Sequence, residues 1–252
     1  MGELGPGAYE SLITAGLARQ LREIAADLVD RSRLDPADAD VVLARHLGAL
    51  ARRALRSLPE HSKDDDRDLV DRQVAMANVI AATILDAAPG VASETDLVAE
   101  SELLREILSR TGAPGPPAGM ERPEVPLSAS ALLVNGRDQP RIGSEVQREL
   151  ASADRVDLLC AFVKWHGLRV LEGQLEELIR RRRSAGEAAP PLRVITTTYI
   201  GATERRALDR LVELGAHVKV SYETRMTRLH AKAWLFHRDT GYSTAYVGSS
   251  NL

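Results

Sequence analysis

Cysteine is nearly absent from this sequence, because Cys160 is the only one among 252 residues. A lone thiol excludes an intramolecular disulfide, and its place in an apolar run predicts a buried, unreactive side chain. Cys and His residues do not cluster at the spacing of a metal site. The sequence therefore predicts neither a disulfide framework nor a metal or cofactor site.

Long apolar stretches are also lacking. No run of about 18 uncharged apolar residues occurs, which excludes a typical membrane-spanning helix. The first residues include Glu3 and Pro6 and show no basic segment followed by an apolar one, so a secretory signal is not expected. We therefore expect a cytoplasmic protein that does not bind a membrane.

Aromatic residues make up only 4% of the chain, but its 44% hydrophobic content is enough for one large domain or two ordinary ones. Positive charge is scarce in the first half. Residues 131–252 hold 19 Lys and Arg against 14 Asp and Glu, a net charge of +5, whereas residues 1–130 carry −8. The acidic half would repel nucleic acid, and the basic half would attract it weakly.

The first half of the sequence has helical periodicity, with apolar residues at spacings of three and four. Asp35 followed by Pro36 is typical of a helix start. Four amphipathic helices of this length predict an all-α helical bundle as the first domain, over residues 1–112. The predicted helices are 9–28, 35–58, 67–87 and 94–109.

A Gly- and Pro-rich stretch follows, and we interpret residues 113–127 as a domain linker. Over residues 128–252, strand and helix patterns alternate. Such alternation predicts an α/β domain with a mostly parallel central sheet, whose functional site lies at the strand ends. The predicted strands are 131–134, 156–163, 192–197 and 217–222, with a terminal pair near 229–236 and 246–251; the predicted helices are 143–153, 167–182 and 202–214.

Two short segments near residue 252 carry the residues best suited to chemistry. His230 and Lys232 have the i, i+2 spacing that places side chains on one face of a strand. There an imidazole that can attack phosphorus converges with an ammonium that can hold phosphate oxygens. Ser249 and Asn251 repeat that spacing after Gly248, where small residues let backbone donors approach a ligand. Together these residues predict a phosphoryl-transfer site.

This pattern, His-x-Lys followed by Gly-Ser-x-Asn, resembles the signature of the phospholipase D superfamily. A longer match over 161–165 and 197–201 is similar to the phospholipase D-like domain near the N-terminus of certain bacterial superfamily II DEAD/DEAH-box helicases. The resemblance implies a phospholipase D-like α/β sandwich and a metal-independent phosphodiesterase, a nuclease that acts on DNA. It implies catalytic roles for His230, Lys232, Ser249 and Asn251, and substrate binding by Lys164, Thr197 and Gly248.

In this family two copies of the motif meet in one site. One His attacks phosphorus while the other protonates the leaving oxygen, so the reaction needs no metal. Because this chain has one copy, the resemblance implies a two-fold homodimer in which His230 is the nucleophile in one subunit and the general acid in the other. A helix follows the motif in the family, and only Leu252 follows it here. We therefore expect the phospholipase D-like domain to be incomplete and to continue into a longer protein with a downstream helicase domain.

The sequence departs from the family pattern at one position, because the usual Asp five residues after the Lys is here His237. An alternative function is therefore a non-catalytic nucleic-acid-binding or assembly module with a degenerate site. A lipid hydrolase is less favoured in a helicase-type context. His237 is predicted to face outward from a hairpin, with a supporting role at the site as the second interpretation.

The run 180–183 is interpreted as a solvated helix end rather than a phosphate clamp.

Overall fold

The structure is a computed structural model that describes residues 4–59, 66–91, 93–107, 119–136, 140–186, 189–223, 225, 228–249 and 252. The chain forms two compact units, Met1–Arg105 and Glu106–Leu252. The first contains helices, and the second contains helices and a mixed five-stranded sheet, so the chain belongs to the α/β class. No helix within the described ranges is long and apolar enough to cross a membrane.

The described part of the first unit contains α1 (Ala15–Leu21), α2 (Ala39–Arg56) and α3 (Asp66–Ala87), with a 3-10 turn at Ala26–Leu28. The predictions of α2 and α3 are confirmed. The prediction of one long first helix is wrong, because the backbone of Ala25 is extended, with ψ 134°. No residue of α1 is buried, and a short helix without tertiary packing has little to stabilise its propagation.

The predicted fourth helix is also wrong over the described residues. Ser93 and Asp96 form a capping box, but only the single 3-10 turn Glu94–Asp96 follows. The reason lies at Val98, whose N–H donates to Asn78 Oδ1 at 2.9 Å and whose carbonyl accepts from Asn78 Nδ2 at 3.0 Å. Because a side chain of α3 satisfies both groups, the backbone of Val98 does not need a helix.

None of the described residues of the first unit is buried, so they do not form a hydrophobic core among themselves. Helix α2 exposes much of its apolar stripe, including Leu43 and Leu47. Helix α3 is joined to the end of α2 by the Gln73 amide, which donates to the carbonyl of Leu55 at 3.2 Å. The helical bundle therefore stays a prediction.

The second unit is built on a sheet with the strand order β3-β2-β1-β4-β5. Strands β1 and β2 pair in parallel, as do β2 and β3, whereas β4 runs antiparallel to both β1 and β5. The sheet is thus mixed, which corrects the prediction of a mostly parallel one. Its strands are β1 Arg155–Cys160, β2 Leu192–Thr197, β3 His217–Ser221, β4 Lys232–His237 and β5 Thr244–Val247.

The direction of β4 follows from how the chain leaves β3. A parallel neighbour requires a crossover to the opposite edge of the sheet, usually through a helix. The described residues between Ser221 and Lys232 contain no helix. The chain therefore passes along the same edge of the sheet and re-enters beside β1 in the opposite direction.

Three helices cover one face of this sheet: α4 (Ile142–Ser152), α5 (Trp165–Ser184) and α6 (Arg205–Leu214). Their apolar stripes and the alternate residues of the strands form one buried core, which holds the strand ends in register. From the strands it contains Val156, Leu158, Leu192, Val194, Trp234 and Phe236; from the helices it contains Leu150, Leu168, Leu171, Leu175, Leu178, Ile179 and Leu211.

The start of this unit differs from the prediction. Residues 131–134 form no strand, and Leu132 and Val134 are exposed, so this run does not contribute a strand to the buried core. The predicted linker residues 113–118 lie outside the described ranges. Glu124 and Val125, in the rest of that linker, donate backbone N–H groups to the buried carboxylate of Glu145 on α4 at 3.1 and 3.2 Å. This part of the linker is therefore held by the α/β unit.

The basic run at the end of α5 is engaged in structural contacts. Arg181 donates to the carbonyls of Ala151 and Ala153, which cap the C-terminal end of α4. Arg182 pairs with Asp154 at 2.7 Å. These contacts favour a structural role over a phosphate clamp.

Candidate active site

Several strand ends meet at one edge of the sheet. Strands β1 and β2 are parallel, so Cys160 and Thr197 end them at the same edge. Antiparallel pairing brings the first residue of β4, Lys232, directly opposite Cys160. It also brings the last residue of β5, Val247, opposite Ala233. The loops next to these strand ends therefore lie close together at this edge of the sheet.

His230 and Lys232 are in contact at this edge. The Nζ atom of Lys232 lies 3.1 Å from Nε2 of His230 and 3.4 Å from its backbone oxygen. His230 is exposed and precedes β4, whereas Lys232 is half-buried. Nδ1 of the same ring lies 3.5 Å from the ammonium nitrogen. The contact thus brings a cation that can bind phosphate oxygens beside an imidazole.

The second half of the motif lies beside the first. The N–H of Gly248 donates to the carbonyl of Lys232 at 3.1 Å, and the exposed Ser249 follows it. Asn251, the remaining predicted catalytic residue, lies outside the described residues. Leu252 is buried, and its N–H donates to Sγ of Cys160 at 3.2 Å.

The predicted substrate-binding residues occupy different environments. Lys164 is exposed at the start of α5, and its backbone N–H donates to the carbonyl of Leu252 at 2.7 Å. Thr197 is fully buried, and its hydroxyl accepts the N–H of Tyr199 at 3.1 Å. The carbonyl of Thr197 accepts from the hydroxyl of Thr203 at 2.8 Å. The position of Thr197 therefore favours shaping the loop after β2 over contacting a substrate.

An aromatic and basic group beside His230 was not predicted. The rings of Phe162 and His230 are 6.1 Å apart in an edge-on arrangement, and Phe162 stacks with Tyr199 at 6.5 Å. Arg228 lies over the Tyr199 ring at 5.0 Å and donates to its hydroxyl at 3.1 Å. Phe162 and Tyr199 belong to the two stretches that resemble the family, directly after β1 and β2. The contact of Phe162 with His230 depends on the strand order.

Charge around this edge is mostly positive. One carboxylate, Glu204, accepts from Arg206 Nε at 2.9 Å and from the N–H of Trp165 at 3.3 Å. The Arg206 guanidinium, helped by that N–H and by the charge of Lys164, lowers the pKa of Glu204, so the group is an anion at neutral pH. Burial raises the pKa of Cys160, which keeps its thiol neutral. Cys160 is paired with Lys232 on the neighbouring strand. Within the described ranges, no three His, Cys, Asp or Glu side chains group as metal ligands.

His237 lies at the opposite end of β4 from the motif. It lies five positions along the strand from Lys232, a distance of about 17 Å at the usual rise. Its Nε2 atom contacts Asp157 Oδ2 at 2.9 Å, and Asp157 also binds Arg193. The guanidinium of Arg193 is the main cause that lowers the pKa of Asp157, and His237 adds to it. His237, which replaces the usual Asp of the family pattern, therefore lies outside the immediate surroundings of His230.

No family model matches the chain, and no curated protein sequence matches it significantly. The resemblance to phospholipase D-like domains therefore rests on the motif residues.

Proposed function

We propose that the protein is a metal-independent phosphodiesterase that cleaves DNA with a site built from His230 and Lys232. The observation that carries this proposal is the 3.1 Å contact between the His230 imidazole and the Lys232 ammonium. It lies at the edge where Gly248 joins the two motif halves. A nucleophile and a phosphate-binding cation in contact are what phosphoryl transfer requires. The proposal includes a phospholipase D-like sandwich for the second unit and a helical bundle for the first.

The chemistry would proceed in two displacements. A phosphate oxygen of the DNA binds the Lys232 ammonium, and a ring nitrogen of His230 forms a bond to phosphorus. The bond to the leaving oxygen breaks, and that oxygen takes a proton from the partner subunit's His230. Water then attacks the phosphohistidine and gives a proton to the partner subunit's His230 as the phosphorus–nitrogen bond breaks. Lys232, with Ser249 and Asn251, stabilises the charge on the phosphoryl oxygens in both steps.

A two-fold homodimer supplies the second imidazole. His230 is exposed, so two copies of this edge can approach each other with their imidazoles facing. Within one chain, His237 is about 17 Å along β4 from the motif and cannot replace that imidazole. The proposal places this module in a longer protein with a downstream helicase domain.

The test is cleavage of labelled DNA in the presence of EDTA. We expect the wild type to cleave, and His230→Ala to lose cleavage about 1,000-fold or more while keeping its fold, since the side chain is exposed. A mixed dimer of mutant and wild-type chains should also be inactive. His217→Ala is the matched control, because His217 is exposed at the opposite end of the sheet.

Two outcomes would contradict the proposal. Full cleavage by His230→Ala would exclude a phosphohistidine, and cleavage that requires added magnesium would exclude the metal-independent mechanism. DNA binding by an inactive wild type would favour the alternative, a non-catalytic nucleic-acid-binding module. That alternative is favoured by one observation, the mostly positive edge around Lys164, Arg228 and Lys232.

A further inference from the structure

An aromatic shelf lies next to the phosphate-binding pair. It consists of Phe162 in the loop after β1, Tyr199 in the loop after β2, and Arg228 before β4. Both rings are half-buried, so part of each is open to solvent. We propose that this shelf binds an unpaired nucleobase beside the phosphate at His230, which makes single-stranded nucleic acid the preferred ligand. The inference rests on the proposed function for the position of the phosphate.

The distances fit a base joined to that phosphate through one sugar. The centre of the Phe162 ring lies 6.1 Å from that of the His230 ring and 6.5 Å from that of the Tyr199 ring, with 20° between the planes of Phe162 and Tyr199. Phe162 therefore adjoins both the imidazole and Tyr199. A nucleotide bound at His230 would place its neighbouring base over them.

Arg228 gives the shelf its charge. Its guanidinium lies 5.0 Å from the centre of the Tyr199 ring, and Nη1 donates to the Tyr199 hydroxyl at 3.1 Å. This contact fixes the orientation of the ring. A guanidinium stacks on bases and also binds phosphate, so Arg228 suits either the base or the next phosphate.

The backbone beside Tyr199 supports a role in binding. Ile200 has φ 54°, a left-handed conformation that β-branched residues rarely adopt, and its side chain is 70% exposed. Gly201, with φ 66°, continues the same sharp turn. Strained residues of this kind concentrate at ligand sites. Here the backbone conformation of Ile200 exposes its apolar side chain to solvent next to the aromatic shelf.

The preference for single-stranded nucleic acid follows from which faces of its bases are free to stack. In a duplex both faces of an internal base are stacked on its neighbours, so a protein ring cannot reach them. In a single strand the base can stack on an aromatic side chain, and this contact is tolerant of sequence. The shelf therefore selects for unpaired nucleotides without reading their identity.

The experiment measures binding to intact probes, so that its result does not depend on cleavage. Fluorescence anisotropy compares a labelled 12-nucleotide single strand with a sugar-phosphate chain of equal length that lacks bases, under conditions where gels show intact probes. We expect the wild type to bind the normal strand about tenfold more tightly than the abasic chain. Tyr199→Leu should lose that difference, while its affinity for the abasic chain stays unchanged.

The controls separate the ring from its hydroxyl and from tyrosine in general. Tyr199→Phe keeps the ring and should retain the preference for bases. Tyr242→Leu removes an exposed tyrosine between β4 and β5, at the opposite edge, and should bind as the wild type does.

Equal affinity of the wild type for the normal and abasic strands would overturn the inference, as would a Tyr199→Leu protein that keeps the preference. If Tyr199→Leu fails to fold by circular dichroism, the abasic comparison in the wild type decides alone. If the protein prefers the normal strand to the abasic one but does not cleave DNA, only the proposed nuclease activity is overturned. If it cleaves DNA but binds both strands equally, only the proposed base binding by the aromatic shelf is overturned.

Discussion

The N–H of Gly248 donates to the carbonyl of Lys232 at 3.1 Å, so the two halves of the motif are adjacent although 15 residues lie between them. This bond extends the pairing of β4 with β5 by one residue beyond Ala233 and Val247. It places Ser249 one residue beyond the point where the two segments are bonded. The geometry of the site therefore depends on the register of this hairpin.

Replacing Lys232 tests its role as a phosphate ligand. Lys232→Gln should lower cleavage about 100-fold, because a charge that stabilises the transition state is lost. It should also reduce the slope of log binding constant against log salt by about one, the contribution of one phosphate contact. Lys219→Gln, which removes the same charge from an exposed position in β3, is the control. Identical salt slopes for the two variants would show that Lys232 does not contact phosphate.

Two glycines of α5 offer a matched pair of substitutions. A Cβ at Gly167 would overlap the backbone carbon of Leu252, whereas a Cβ at Gly173 meets nothing within 4 Å. We expect Gly167→Ala to lower the free energy of unfolding by about 1–3 kcal/mol. Gly173→Ala should raise it by about 0.5–1 kcal/mol through helix propensity. Urea denaturation measures both, and a stabilising Gly167→Ala would show that Leu252 does not pack there.

Tyr246 should make stability fall at alkaline pH. Its hydroxyl donates to the buried carboxylate of Glu149 at 3.0 Å, and Glu149 also pairs with the buried Arg238. Burial is the main cause that raises the pKa of Tyr246, followed by the charge of Glu149. Below the unfolded pKa of about 10 the phenol is protonated in both states, so the bond contributes fully. Above it, the unfolded chain releases the proton first, and the free energy of unfolding falls.

The measurement is urea denaturation between pH 8 and pH 11. Tyr246→Phe should cost about 1.5–3 kcal/mol at pH 8, since it removes a hydrogen bond to a charged group, and should lose less stability than the wild type at higher pH. Tyr242→Phe, which changes an exposed tyrosine, should follow the wild-type curve. Parallel curves for Tyr246→Phe and the wild type would mean that the phenol titrates equally in both states.

Strong periodicity was sufficient to predict several elements. Helix α5 buries Leu168, Leu171, Leu175 and Leu178 at spacings of three and four, and β2 buries alternate residues, as expected. The fourth helix was wrong because the side chain of Asn78, 20 residues from Val98, satisfies its backbone groups. The strand over 131–134 was also wrong, and Leu132 and Val134 are exposed there. For the fourth helix the deciding factor is a contact with a distant residue, which a local pattern does not contain.

The sequence by itself determined the chemistry available to this protein: one imidazole and one ammonium two residues apart, and a Gly-Ser turn to accompany them. It also determined the alternation of strands and helices, because side-chain periodicity is a local property of the backbone. Only the tertiary structure decided that β4 returns antiparallel beside β1, which brings His237 against Asp157. It also decided that Phe162, Tyr199 and Arg228 form a connected group beside His230, because segments far apart in the chain become neighbours only through strand order and register.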